Sequence, residues 1–461
     1  MNLIMILMDD MGWKDLGCYG STFYETPNLD RLAAQGVRFT DAYAACPVCS
    51  PTRASVMSGK YPARLGVTQY IGAGPERGKL IGAPYVDHLS LEEYSLAAAL
   101  REGGYRTWHV GKWHLGEESY FPQHHGFDVN IGGCQMGHPK YGYFSPYHIP
   151  HLTDGPTGEY LTDRLTDEAI RLISMPSEKP FFLNLCHYAM HIPIQSPSEE
   201  LTEKYERKAR RVGLDRIQTF EEGDYFPAEH MKNQRIQRRR VQSDPCYAAM
   251  IENLDSNIGR LLDALEETGQ ADHTTIVFTS DNGGLSTAEG SPTCNAPLNE
   301  GKGWMYEGGV REPLIVKWPG VTKPGTVCSV PVTSPDFYPT FLEMAGIPPL
   351  PGQHMDGTSI TPLLNGAESL DREAIYWHYP HYGNHGGTPG SSIRMGDYKL
   401  IEFFEDGHLE LYQLREDLEE QHNLAASHPE IAAELQSNLH GWRERIEANM
   451  PVTNPDYLSS S

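Results

Sequence analysis

The sequence predicts an α/β protein. A large, mostly parallel but mixed sheet sandwiched by helices spans residues 1–370, and a smaller C-terminal subdomain, 371–461, holds an antiparallel sheet and a terminal helix. Three observations predict it: short apolar runs recur as far as Trp318, segments with helical spacing alternate with them, and the residue character changes near Ile375. Strands buried on both faces show no polar alternation, so uninterrupted apolar runs mark parallel strands covered by helices.

The first run, Asn2 to Met8 (NLIMILM), ends in Asp9 and Asp10, so a central strand delivers two carboxylates at its carboxyl end. Thr26 and Pro27 predict the cap and start of a helix that stops at Gly36. Ser90 and Glu93 have capping-box spacing ahead of the run LAAAL. Further strands are predicted at Thr107 to Val110, Phe181 to Leu185, Thr275 to Thr279 and Leu314 to Trp318. Met250, Leu254, Ile258, Leu261 and Leu265 keep helical spacing. Between about Glu199 and Asp244 the chain turns charged, with KYERKARR and QRIQRRR, and reads as a solvated helical excursion. Beyond Ile375 follow a His/Tyr/Gly loop (WHYPHYGNHGGTPGSS), the strand-like IRMGDYKLIEFF, a turn at Glu405 to Gly407, the strand HLELYQL, and an amphipathic helix from Pro429 to about Ala448.

Composition excludes some classes of function. The chain has 461 residues and 37 Lys plus Arg against 61 Asp plus Glu, a net charge of −24, which argues against general nucleic-acid binding through phosphate neutralisation. An anionic substrate therefore needs a locally positive pocket. The eight cysteines are scattered, without the density of a disulfide scaffold, and the one C-x-x-C has no second pair to complete a zinc site. The opening MNLIMILMDD is too short for a membrane span and lacks a basic leader, so no export signal is read. A periplasmic or secreted place is expected if a leader has been removed, and a cytoplasmic one otherwise.

Two features carry chemistry. Asp9 and Asp10 follow the first strand, and Asp281 and Asn282 follow TTIVFTS, so oxygen ligands from two strand ends can converge on a hard cation, Ca²⁺ or Mg²⁺. The second is Cys46 to Arg53 (CPVCSPTR), where C-x-x-C and C-x-P-x-R overlap. A helix starting behind Cys49 places a positive dipole end at its sulfur, and Arg53 lies one turn further on, whereas Cys46 has no such neighbourhood and reads as a small buried residue.

The run from Cys49 to Gly59 (CSPTRASVMSG) resembles the signature of type I, formylglycine-dependent sulfatases, C-x-P-S-R-x-x-x-L-T-G, with Thr52, Met57 and Ser58 as departures. Gly111 to Gly116 (GKWHLG) is similar to the second signature of that family. Asp9 and Asp10, SDNGG at 280–284, His191 to Pro193, and Lys302 ahead of YEGGVREPLIVKWPG match in order, and the C-terminal GDYKLI, ELYQL and NLA also resemble the family's small domain.

The resemblance implies that a separate formylglycine-generating enzyme oxidises Cys49 to Cα-formylglycine. It also implies that Asp9, Asp10, Asp281, Asn282 and the residue at position 49 hold a divalent cation, with Ca²⁺ preferred and Mg²⁺ the alternative. Lys112, Lys302 and Arg53 then hold the sulfate, one hydroxyl of the hydrated aldehyde attacks sulfur, His191 (with Lys302 second) protonates the leaving oxygen, and His114 is the base that releases sulfate.

For substrate, the polar, aromatic loops suit sugar hydroxyls. His148, His151, His378, His381, His385 and Arg394 are the candidate contacts, and the overall pattern resembles bacterial glycan sulfatases acting on sulfated galactose or N-acetylgalactosamine, often at the 4-position. Two alternatives stay open at this point. One is a phosphonate monoester or phosphodiester hydrolase of the same alkaline-phosphatase-like superfamily. The other is a non-catalytic C-x-x-C metal or redox module.

Overall fold

A computed structural model describes residues 1–74 and 76–457. Its main sheet runs, from edge to edge, Thr326–Cys328, Val37–Tyr43, Arg311–Lys317, Thr274–Ser280, Asn2–Met8, Phe181–Cys186, Arg106–Gly111 and Val129–Ile131, with the short Val332–Thr333 also on Val37–Tyr43. Asn2–Met8 lies between two parallel neighbours. Arg311–Lys317 is antiparallel to both of its neighbours, which makes the sheet mixed, as predicted.

Alternation along the central strand divides the core between two faces. Ile4, Ile6 and Met8 point to one side, where Pro27–Gln35, Leu161–Ile173 and Pro245–Glu267 cover them; Leu3, Met5 and Leu7 meet Cys49–Ser58, Leu96–Glu102 and Phe337–Met344 on the other. All six are essentially inaccessible, and each contributes on the order of 1.5–3 kcal/mol of apolar burial.

Register then places the chemistry. Met8 pairs with Ser280 and Leu7 with Cys186, so Asp9, Asp10 and Asp281 leave the sheet side by side. Gly111 also pairs with Cys186, which brings Lys112 and His114 to the same edge.

The second sheet is antiparallel, in the order Ala374–Tyr379, Gly390–Met395, Tyr398–Phe403, Leu409–Gln413. The helix Pro429–Arg445 lays Leu435, Leu439 and Trp442 against Ile393, Leu400 and Leu411, and Trp442 stacks on Tyr376 with ring centres 4.8 Å apart.

Several local expectations are corrected. The helix Leu96–Glu102 is capped by Ser95, whose hydroxyl accepts from the Ala98 amide at 3.1 Å; Ser90 and Glu93 only close a turn, 3.1 Å from amide to carbonyl. Thr26 does not cap its helix, because its hydroxyl accepts from the Gly17 amide and donates to Asp30. The charged excursion is helical only over Glu199–Val212. QRIQRRR belongs to a hairpin, Phe220–Tyr225 with Arg235–Arg239, in which Ile236 and Arg239 are buried while Arg235 and Gln237 are exposed.

IRMGDYKLIEFF is two strands rather than one, because Gly396, at φ +60°, turns the chain between them. The start of the His/Tyr loop is itself buried strand, Ala374–Tyr379. Among the described residues no helix is long and apolar enough to cross a membrane.

Candidate active site

Three carboxylates and three cations interlock at the carboxyl edge of the sheet. Both oxygens of Asp9 accept from Lys112 Nζ, at 2.9 and 2.8 Å. Asp10, with φ +59°, accepts from Lys302 Nζ at 2.7 Å and from Asn282 Nδ2 at 2.8 Å. Asp281 accepts from Arg53 Nε at 2.8 Å. Arg53 Nη1 also donates to the Lys112 carbonyl at 3.0 Å, tying the helix Cys49–Ser58 to the loop after Gly111. All these side chains are buried. Burial alone disfavours a charged Asp10, yet the Lys302 ammonium beside it holds its carboxyl well below the ordinary range.

Cys49 begins its helix and is 3 % exposed. Burial pushes its thiol pKa up, more than Lys112 and Lys302 pull it down. At neutral pH the residue is therefore a thiol and a weak nucleophile despite the dipole behind it. Cys46 belongs elsewhere. It packs with Val48, Met305 and Trp377, and its backbone exchanges hydrogen bonds with the Thr52 hydroxyl at 3.2 and 3.1 Å. The two cysteines thus lie in different surroundings, and no disulfide joins any of the eight cysteines.

The donor set fits a hard cation. One carboxylate oxygen each from Asp9 and Asp281 and the Cys49 sulfur lie within 4.8 Å of one another, and Asp9, Asp10 and His191 form a second such group. Ligands across a Ca²⁺ ion stand about 5 Å apart, so this spread is of the right size. Asn282 Oδ1 is buried without a hydrogen-bond partner, an orphaned acceptor of the kind a cation satisfies.

Above this cluster opens a cavity of about 370 Å³, into which Cys49, His114, His191, Lys302 and His385 project together with Tyr70, Gln135, His138, Glu289 and Asn384. His114, at φ +57°, donates from Nε2 to the Ile71 carbonyl at 2.8 Å, and its Nδ1 has no partner. Burial, followed by the charge of Lys112, holds its pKa far below the usual imidazole value, so it is a neutral ring with a free lone pair. His191 is also kept neutral, first by burial and then by Lys302. Its Nδ1 faces the Ile192 carbonyl at 3.2 Å, which leaves Nε2 to accept from Lys302 Nζ at 3.0 Å.

Of the six candidate substrate contacts, the cavity takes in only His385. His148 and His151 are exposed on a separate loop, His148 beside Asp154 at 3.4 Å. His378 lies in a strand, bonded to Ser391 Oγ and the Asn449 carbonyl; His381 bonds Thr68 Oγ1 at 2.8 Å; Arg394 is paired with Asp41 at 2.8 Å and with the Tyr43 hydroxyl. The segment folds inward as sheet, so its polar groups are used in holding the two sheets together.

These buried rings have a measurable consequence. Burial lowers His378 to about 4 and His381 and His385 to about 3. The unfolded rings bind protons near pH 6.5, so the stability of neutral burial is complete above that value and lost as pH falls toward 4. Thermal melting should show it. Between pH 7 and 5, His381→Gln should lose less stability than the wild type, by up to about 2 kcal/mol.

Gln135, His138, Glu289, Asn384 and Tyr70 were not predicted. They come from loops without a motif, and only the fold brings them to Cys49.

A mixed α/β sheet that gathers a carboxylate nest, buried cations and a helix-start cysteine under one pocket defines a hydrolase of anionic esters, of the alkaline-phosphatase-like kind. The chain belongs to the sulfatase family and is a sulfuric ester hydrolase: the Sulfatase family model matches residues 1–347, and the model for the C-terminal part of N-sulphoglucosamine sulphohydrolase matches residues 300–445. A sulfatase of Formosa agariphila is 33% identical, aligned over 98% of this chain and 90% of that protein. The N-acetylgalactosamine-6-sulfatase of Canis lupus familiaris is 31% identical over 86% of this chain and 71% of its own. Among solved structures, Ps i-CgsB in complex with k-i-k-neocarrahexaose superposes with a TM-score of 0.77 at 28% identity, covering 96% of this chain and 92% of that one.

Proposed function

We propose that this sulfatase removes sulfate from sulfated galactose or N-acetylgalactosamine units of a glycan, at the 4-position, through a formylglycine made from Cys49 by a formylglycine-generating enzyme. The observation that carries the reading is Cys49 itself: a thiol held protonated beside Lys112, Lys302 and Arg53 is a poor nucleophile but a well-placed precursor. The relative named for N-acetylgalactosamine 6-sulfate supports a galacto-configured sugar.

Asp9, Asp10, Asp281 and Asn282 would hold the cation. A hydrated formylglycine at position 49 would supply two oxygens on one carbon, one for attack on sulfur and one for expulsion of sulfate, and a bound Ca²⁺ or Mg²⁺ would supply charge neutralisation. Lys112 and Lys302 each carry three N–H donors, enough to keep a carboxylate and still hold sulfate oxygens. His114 Nδ1, neutral and unpartnered, accepts the proton whose loss permits sulfate to leave. A sugar alkoxide is a poor leaving group and needs a proton. Lys302 Nζ, which donates to His191 Nε2 at 3.0 Å, is the source of that proton, and His191 delivers it only after Nε2 has received it from Lys302.

Two measurements test this reading. Sulfate release should be faster from N-acetylgalactosamine 4-sulfate than from the 6-sulfate, and either should exceed turnover of phenyl phosphonate. A faster 6-sulfate would overturn the position, and a faster phosphonate the ester class. In the second, His191→Ala should lower kcat/KM on the sugar sulfate by about 10²–10³-fold but on 4-nitrophenyl sulfate, whose leaving group needs no proton, by less than about tenfold. Equal losses on both would remove His191 from the acid role.

A further inference from the structure

Charge is unevenly distributed around the cavity. Lys302 lies buried beside Cys49, whereas Glu289 is exposed to solvent and is the one carboxylate among the described residues that line the space. Glu289 adopts φ +52°, a left-handed conformation costly for a residue with a side chain, as do Asp10 and His114 in the same site. His148 and His151 adopt it too, outside the cavity, so strain alone assigns nothing. Contact adds the second observation. Asn384 Nδ2 donates to Glu289 Oε1 at 2.8 Å, which fixes the carboxylate between two loops that are far apart in sequence, and the Asn384 carbonyl oxygen is buried without a partner.

We propose that Glu289 and Asn384 form a specificity-determining pair that accepts hydroxyl or amide donors from an uncharged part of the sugar and excludes a second sulfate or a carboxylate on the same ring. The inference rests on the carbohydrate-sulfate reading above and narrows it to singly charged sugars. Glu289 Oε2 and Asn384 Oδ1 are acceptors, and a hydrogen bond to an ionised carboxylate is stronger than one between neutral groups. A second anionic substituent reaching the pair would meet a like charge at the partly dehydrated mouth of a cavity, where water screens it less than in bulk. The cations of the site are committed to Asp9, Asp10 and Asp281 and to the one sulfate that is to be cleaved.

Binding separates this from turnover. In the Cys49→Ala chain, calorimetry at pH 8 should find N-acetylgalactosamine 4-sulfate bound at least about tenfold more tightly than the 4,6-disulfate. Adding Glu289→Gln should shrink that ratio threefold or more, and Glu289→Lys should reverse the preference. A ratio that changes less than threefold in Glu289→Gln and keeps its direction in Glu289→Lys overturns the proposal. So does binding of neither sugar. Sulfate release from the same two sugars by the wild-type chain reports separately on the carbohydrate reading, so a failure of that reading is recognised as such.

Discussion

Cys49→Ser is expected to lower steady-state kcat on any sulfate ester by at least about 10⁴-fold, the scale seen when a covalent nucleophile is removed. Any residual reaction should stop after one turnover. A serine hydroxyl at the start of the helix Cys49–Ser58 still sits among Lys112, Lys302 and the carboxylates, in place to receive one sulfate. Its sulfate ester has no second oxygen on the same carbon to expel the group, and it stalls. Cys46→Ser should leave kcat within about threefold, because Cys46 packs in an apolar cluster with Trp377; its cost is in stability, about 1–3 kcal/mol for a hydroxyl buried without a partner. Pre-steady-state sulfate release on the two variants checks both statements. Equal damage from both would restore the paired-cysteine reading.

Removal of the cation has the second largest expected effect. Dialysis against a chelator should reduce kcat by about 10³-fold or more, restored by Ca²⁺ or Mg²⁺ rather than by Zn²⁺, since the donors are carboxylate and amide oxygens. The apo protein should also melt earlier, because a ligand present at about a hundred times its Kd contributes about 2.7 kcal/mol to the folded state. The loss of stability is bounded by the internal pairing, as Asp9, Asp10 and Asp281 each keep a Lys or Arg partner. Full activity in chelator would contradict the assignment of Asp9, Asp10, Asp281 and Asn282.

The reach of the sequence differed between parts of the molecule for physical reasons. Asn2 to Met8 and Thr274 to Ser280 are buried on both faces, so their apolar runs announce strands, and the carboxylates at their ends follow from register alone. Cys49, Lys112, His114 and Lys302 stand in local patterns that survive as short motifs. Glu289 and Asn384 meet only because two loops fold across the same edge, and no periodicity records such a meeting. The histidine-rich segment misled in the other direction: His378, His381 and Arg394 look like free polar groups in sequence, whereas the small sheet buries each with a partner supplied from elsewhere in the chain. The cap at Ser95 is masked in sequence because Ser90 and Glu93 offer the same spacing five residues earlier.

The proposed function makes Cys49 a precursor and not a thiol. Its direct test is peptide mass spectrometry of the segment around Cys49 in preparations made with and without a formylglycine-generating enzyme, set against specific activity on 4-nitrophenyl sulfate. Activity should rise in proportion to the fraction of aldehyde, through zero for the all-thiol protein. Full activity in protein whose Cys49 is entirely thiol would contradict the account.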